Sequence, residues 1–235
     1  MREDRITAPT SRGTRRRRAK PSLLALAACA VVAATSGAAW SQRHNTVSFE
    51  EGEAGWYPLF DGRGLDGFVI AGDGSWRVEN GEIVADSGGI ALLLTDETFS
   101  DFELRVDFLA APGANSGVFL RASTPNPLAG GSAYEVNIAP PDNAFPTGSI
   151  MHVVMPEGGG APKFAASQKV EGAGESEDWR TFHVVANGGR ITVTLDGEKI
   201  VELDDPEPLA EGYIGLQHNQ GRVAFRNLKA RRLRL

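Results

Sequence analysis

Phe102-Glu103-Leu104-Arg105-Val106-Asp107-Phe108 places an apolar residue at every second position and a charged residue between each pair. Side chains alternate between the two faces of a strand, so this period of two predicts a half-buried strand with its apolar side inward. Ile191-Thr192-Val193-Thr194-Leu195 repeats the pattern downstream. Between such runs stand Asn80-Gly81, Asn187-Gly188-Gly189 and Asp196-Gly197. These pairs accept the positive φ angles of tight hairpin turns. After Trp40 no helical period is sustained. Many short strands joined by hairpins predict an all-β fold, a two-sheet jelly-roll sandwich, with helix confined to the N-terminal segment.

The length of 235 residues and 41% hydrophobic content suit one domain with a short appendage. Residues 1–40 carry eight Lys/Arg against only Glu3 and Asp4, which leaves the remainder more acidic than the net charge of -6 suggests. An acidic body lacks the clustered cations that bind phosphate backbones, which argues against a nucleic-acid partner. The basic tract Arg15-Arg16-Arg17-Arg18 and the uncharged apolar stretch over residues 23–40 follow the order of a secretory signal peptide or an N-terminal membrane anchor. Thr14-Arg15-Arg16 resembles a twin-arginine signal, Ser36-Gly37-Ala38 a signal-peptidase site, and Leu26-Ala27-Ala28-Cys29 a lipoprotein site with Cys29 lipidated. Each version places the body outside the cytoplasm: periplasmic, on the cell surface or secreted. Cys29 is the chain's one cysteine, so disulfides are excluded. Residues 41–54 read as a tether and residues 55–235 as the folded domain. The longest irregular pieces are residues 124–132 and 155–178.

Chemistry-bearing residues cluster by strand parity. In Tyr134-Glu135-Val136-Asn137-Ile138, Glu135 and Asn137 share the face opposite the apolar residues. The same rule sends Phe119 and Arg121 outward from Val118 and Leu120. If the two strands are neighbours, Arg121, Glu135 and Asn137 form one polar patch, with Asn115 and Gln217 at its margin. His218 stands where a strand meets a loop, a common place for functional groups. Charged and amide groups beside an aromatic suit a sugar, whereas a plain cross-strand ion pair is the structural alternative. Glu103, Arg105 and Asp107 read as a solvated face. The four histidines are too scattered for a metal-ligand spacing, and no serine elbow, P-loop or dinucleotide fingerprint occurs. Where a two-carboxylate glucanase strand would run Glu-x-Asp-x-Glu, this chain has Glu135-Val136-Asn137-Ile138-Ala139.

Nine segments in order resemble the 3-keto-disaccharide hydrolase-like family of secreted bacterial domains. They include Leu59-Phe60-Asp61-Gly62, Trp76-Arg77-Val78-Glu79-Asn80-Gly81, Asn115-Ser116-Gly117-Val118-Phe119-Leu120-Arg121, Tyr134-Glu135-Val136-Asn137-Ile138, Thr147-Gly148-Ser149-Ile150 and Gly215-Leu216-Gln217-His218. Asn137 stands where the family usually has Gln. The resemblance implies a concanavalin A-like lectin/glucanase jelly roll and cleavage of 3-keto-glucosides by elimination and hydration. One base and one enolate stabiliser suffice for that chemistry. The resemblance allows Glu135 or His218 as base, Arg121 or a divalent metal held by Glu135 as stabiliser, and Asn137, Asn115 and Gln217 as substrate contacts. No other cofactor is implied. The alternative is a non-catalytic carbohydrate-binding sandwich displayed on the cell surface.

Overall fold

The computed structural model describes residues 44–155, 164–165 and 178–233. The expected signal or anchor, with Cys29 and the apolar stretch at 23–40, lies outside the described residues, as does most of the irregular segment after Met155. Among the described residues no helix is long and apolar enough to cross a membrane.

Two antiparallel sheets face each other. The back sheet runs β13 (Glu198–Asp204), β12 (Arg190–Leu195), β11 (Arg180–Asn187), β6 (Phe102–Ala110), β15 (Val223–Arg232), β4 (Glu82–Ala85) and β3 (Arg77–Glu79), with β1 (Tyr57–Pro58) also on β15. The front sheet runs β10 (Phe164–Ala165), β9 (Ile150–Met155), β8 (Gly131–Ile138), β7 (Asn115–Ala122), β14 (Gly212–Gln220), β5 (Gly88–Phe99) and β2 (Phe68–Gly74). The fold is the expected jelly roll. Its hairpins turn where the sequence placed them: Asn80 and Gly81 have φ 53° and 81°, Asp196 and Gly197 have φ 51° and 86°.

Alternation builds the core. Phe102, Leu104, Val106 and Phe108 of β6 meet Val118 and Leu120 of β7 and Tyr134, Val136 and Ile138 of β8 between the sheets. The Phe108 and Phe182 rings pack with centroids 4.5 Å apart. A second apolar cluster, Ala71, Leu92, Leu94, Phe119, Ala122 and Ala133, lies on the other face of the front sheet. Leu128, from a single 3-10 turn at Pro127–Ala129, packs on that cluster, and the turn lies against β2, β8 and β9.

The outer face of the back sheet is ion-paired. Glu103 meets Arg231 at 2.5 Å and His183 at 2.9 Å, and Asp107 accepts from Thr181 and Asn227. The residues read as a tether depart from expectation here. Ser48 caps a short helix, α1 (Phe49–Glu53), through a reciprocal capping box with Glu51. Glu51 then pairs with Arg105 and Lys229. Asn45 donates to the Gly81 carbonyl and accepts from the Asn227 amide. Trp56 lies 4.6 Å from the Arg105 guanidinium carbon and 5.3 Å from that of Arg231. Residues 45–56 are therefore docked on the sheet, because their polar groups find partners there that composition alone does not reveal.

Candidate functional site

The free face of the front sheet carries a pocket of about 310 Å³. β8 contributes Glu135 and Asn137, β7 contributes Asn115, β14 contributes Gln217 and Asn219, β9 contributes Met151 and Val153, and the loop before β9 contributes Asn143 and Phe145. Register explains the convergence. Gly117 of β7 is flanked by Asn137 on one side and Gln217 on the other. Glu135, opposite Phe119, bends over the same glycine: a Cβ at Gly117 would meet Glu135 Oε1 at 2.5 Å and Cγ at 2.9 Å. Asn137 also fixes the pocket's wall, since its side chain donates to the Phe145 carbonyl and its backbone bonds Gly148 and Ser149.

The electrostatics single out Glu135. It is 5% exposed and has no hydrogen-bond or ion-pair partner among the described residues. Burial pushes its carboxyl up to about 8. The ionised form loses hydration that nothing around it replaces. The buried Oε1 of Gln217 also lacks a partner. Other buried charged groups are satisfied: Glu103 as described above, and Asp205 by Tyr134 and the Glu207 amide. Two larger hollows, of about 760 Å³ beside Tyr57 and about 590 Å³ beside Arg190, are bordered by paired charges such as Arg232 with Glu97 and Arg190 with Asp204. A buried, unpaired acid in a cleft is a mark of a working site.

The glycine floor gives a direct test of this geometry. Gly117→Ala is expected to cost about 1–3 kcal/mol by overpacking, read by urea denaturation. The penalty should shrink in a Glu135→Ala background, where the clashing carboxyl is gone. An equal penalty in both backgrounds would place the carboxyl elsewhere.

The structure brings Glu135, Asn137, Asn115 and Gln217 together but leaves Arg121 and His218 out, against the expected convergence. Between the pairs Phe119–Gly215 and Ala122–Tyr213, β7 carries one residue more than β14. This bulge sets Arg121 at φ 51° and breaks the alternation. Its guanidinium lies toward the back sheet, donating to the carbonyls of Ser100, Gly188 and Leu209 and to Asp101. His218 shares the inward side of β14 with Leu216. Its ring nitrogens sit 3.1 Å from the Gly89 carbonyl and 3.0 Å from the Gly221 carbonyl. Both side chains brace the sandwich, and neither lines the Glu135 pocket.

The family model for the 3-keto-alpha-glucoside-1,2-lyase-like domain matches residues 55–231. The chain belongs to this family. Membership makes it a glycosidase-like or carbohydrate-binding jelly-roll domain. No curated protein matches the chain. Among solved structures, a candidate glycosyl hydrolase from Parabacteroides distasonis is similar with 19% identity and a TM-score of 0.60, over 81% of this chain and all of that one. A carbohydrate-binding module from Bacillus subtilis is similar with 18% identity and a TM-score of 0.55, over 70% of this chain and 95% of that one. At these identities the likeness is one of fold.

Glu135 is also the residue that the resemblance allows to hold a divalent metal. Among the described residues no group of three or more His, Cys, Asp or Glu could hold a metal ion. Around Glu135 the other oxygen donors are neutral amides, whereas hard divalent ions combine carboxylates with carbonyls and water in a set of six or more oxygens. The donor set fits hydroxyl groups better than a divalent ion. Sequence parity missed Asn143, Phe145, Met151, Val153 and Asn219. Asn219 follows Gln217 by two and was within reach of the same rule. Asn143 and Phe145 come from a loop whose path depends on its bonds to Asn137, and no local pattern marks them.

Proposed function

We propose that this domain cleaves the glycosidic bond of 3-keto-glycosides by elimination and hydration, with Glu135 as the base. A keto group at carbon 3 acidifies the hydrogen on carbon 2. Glu135 takes that proton, the carbon 1–oxygen bond breaks as a carbon 1–carbon 2 double bond forms, and the aglycone oxygen leaves with the proton that Glu135 passes on. Water then adds across the double bond to release the 3-keto-sugar. The observation that carries this reading is the single unpartnered carboxyl in an amide-lined pocket. A double-displacement or inverting hydrolase needs two carboxylates, and an elimination needs one. Gln217 and Asn115, whose amides line the same pocket, would donate to the enolate oxygen in place of Arg121.

The test is incubation of the purified chain with 3-keto-glucosides and with plain disaccharides, followed by measurement of released sugar. Release from the keto substrates alone is expected. Glu135→Gln should lower turnover by about 100-fold or more, the usual size of a general-base contribution, while circular dichroism stays unchanged. Only the ionised carboxyl accepts a proton, so kcat/KM should rise with pH, reach half its maximum near 8 and level off above it. Binding without turnover in the unaltered chain would leave a carbohydrate-binding module.

The basic tract and apolar stretch of residues 1–40 support placing this activity outside the cytoplasm. A reporter active only after export, fused behind residues 1–45, should give signal.

A further inference from the structure

The two sides of the Glu135 pocket differ in chemistry. Asn115, Gln217 and Asn219 line one side with amides, while Phe145, Met151 and Val153 give the other an apolar wall beside Asn143, whose side-chain oxygen is taken up by the Phe145 backbone amide. Val153 also packs on the buried cluster around Phe119 and Leu92, so the apolar wall is backed by close-packed side chains. No Lys or Arg lines the pocket among the described residues.

We propose that the ligand of this pocket is an uncharged glycoside whose sugar ring lies on the amide side and whose aglycone is an apolar group lying on Met151 and Val153. The inference rests on the carbohydrate reading above and adds the class of aglycone. Hydroxyls removed from water must be given partners, and the amides supply them. A second sugar on the Met151 side would lose its hydration with few partners in return. An apolar group there loses nothing and gains by leaving water. A carboxylate or phosphate on the ligand would meet no cation and would face an acid with no counter-charge.

Titration calorimetry of the full chain at pH 5, where Glu135 holds its proton and cleavage is slowest, tests this with three probes. These are methyl 3-keto-glucoside, phenyl 3-keto-glucoside and a 3-keto-disaccharide. The phenyl glycoside should bind about tenfold tighter than either other probe, equivalent to about 1.4 kcal/mol. Met151→Ser should remove most of that advantage and weaken the methyl glycoside, whose aglycone is a single carbon, far less than the phenyl glycoside. Methyl and phenyl glycosides of equal affinity, or a disaccharide that binds tightest, would overturn the aglycone assignment and leave the carbohydrate reading standing. Binding of none of the three would overturn both.

Discussion

Replacing Glu135 by Gln is expected to stabilise the protein at high pH and to change little at low pH. The carboxyl titrates near 4.5 in an unfolded chain and near 8 in its pocket. Below about pH 4.5 both states hold the proton, and the contribution of Glu135 to stability is fully present. Between 4.5 and 8 the folded state keeps a proton that the unfolded state has released, so stability falls as pH rises. Above 8 both states are ionised and the loss is complete. At about 1.4 kcal/mol per pH unit the window amounts to about 5 kcal/mol. Gln keeps the shape and never ionises, so the difference in unfolding free energy between the two proteins should widen from pH 5 to pH 9. Urea denaturation at each pH measures it, and every other titrating group cancels. A difference constant with pH would mean that the carboxylate is solvated or paired, and the pocket would lose its distinguishing feature. The destabilised acid in the native protein is consistent with a residue held for chemistry at the expense of stability.

Arg121→Ala is expected to destabilise the fold by about 3–5 kcal/mol. The side chain is 1% exposed, and its removal takes the guanidinium donor from the carbonyls of Ser100, Gly188 and Leu209 and the ion-pair partner from Asp101, which keeps the Gly188 amide. Nearby Tyr134, whose phenol is pushed up to about 12 by burial and its bond to Asp205, remains a donor and cannot take over those acceptors. Arg121→Lys should recover only part of the loss, because one ammonium cannot reproduce the planar fork. Cleavage or sugar binding per folded molecule should be unchanged. A variant of full stability that no longer binds sugar would return Arg121 to the pocket.

Much of this molecule was legible from local pattern. Phe102, Leu104, Val106 and Phe108 alternate because a strand has two faces, and Asn80-Gly81 and Asp196-Gly197 turn because those residues accept positive φ. Parity placed Glu135 and Asn137 on the pocket face and put Val136 and Ile138 in the core. These properties depend on a residue and its near neighbours, which a sequence states directly. Three others depended on the partners that folding brings. Arg121 left its expected face because β7 carries one residue more than β14 across a bulge, and a bulge is a property of two paired strands. The α1 segment became part of the sandwich because Glu51 and Asn45 meet Arg105, Lys229 and Asn227, which are distant in the chain. Glu135 became an unpaired buried acid only when Gly117 lay beneath it and the Asn143–Phe145 loop closed beside it. Desolvation is the sum of everything that excludes water from a group, so the tertiary structure alone decided it.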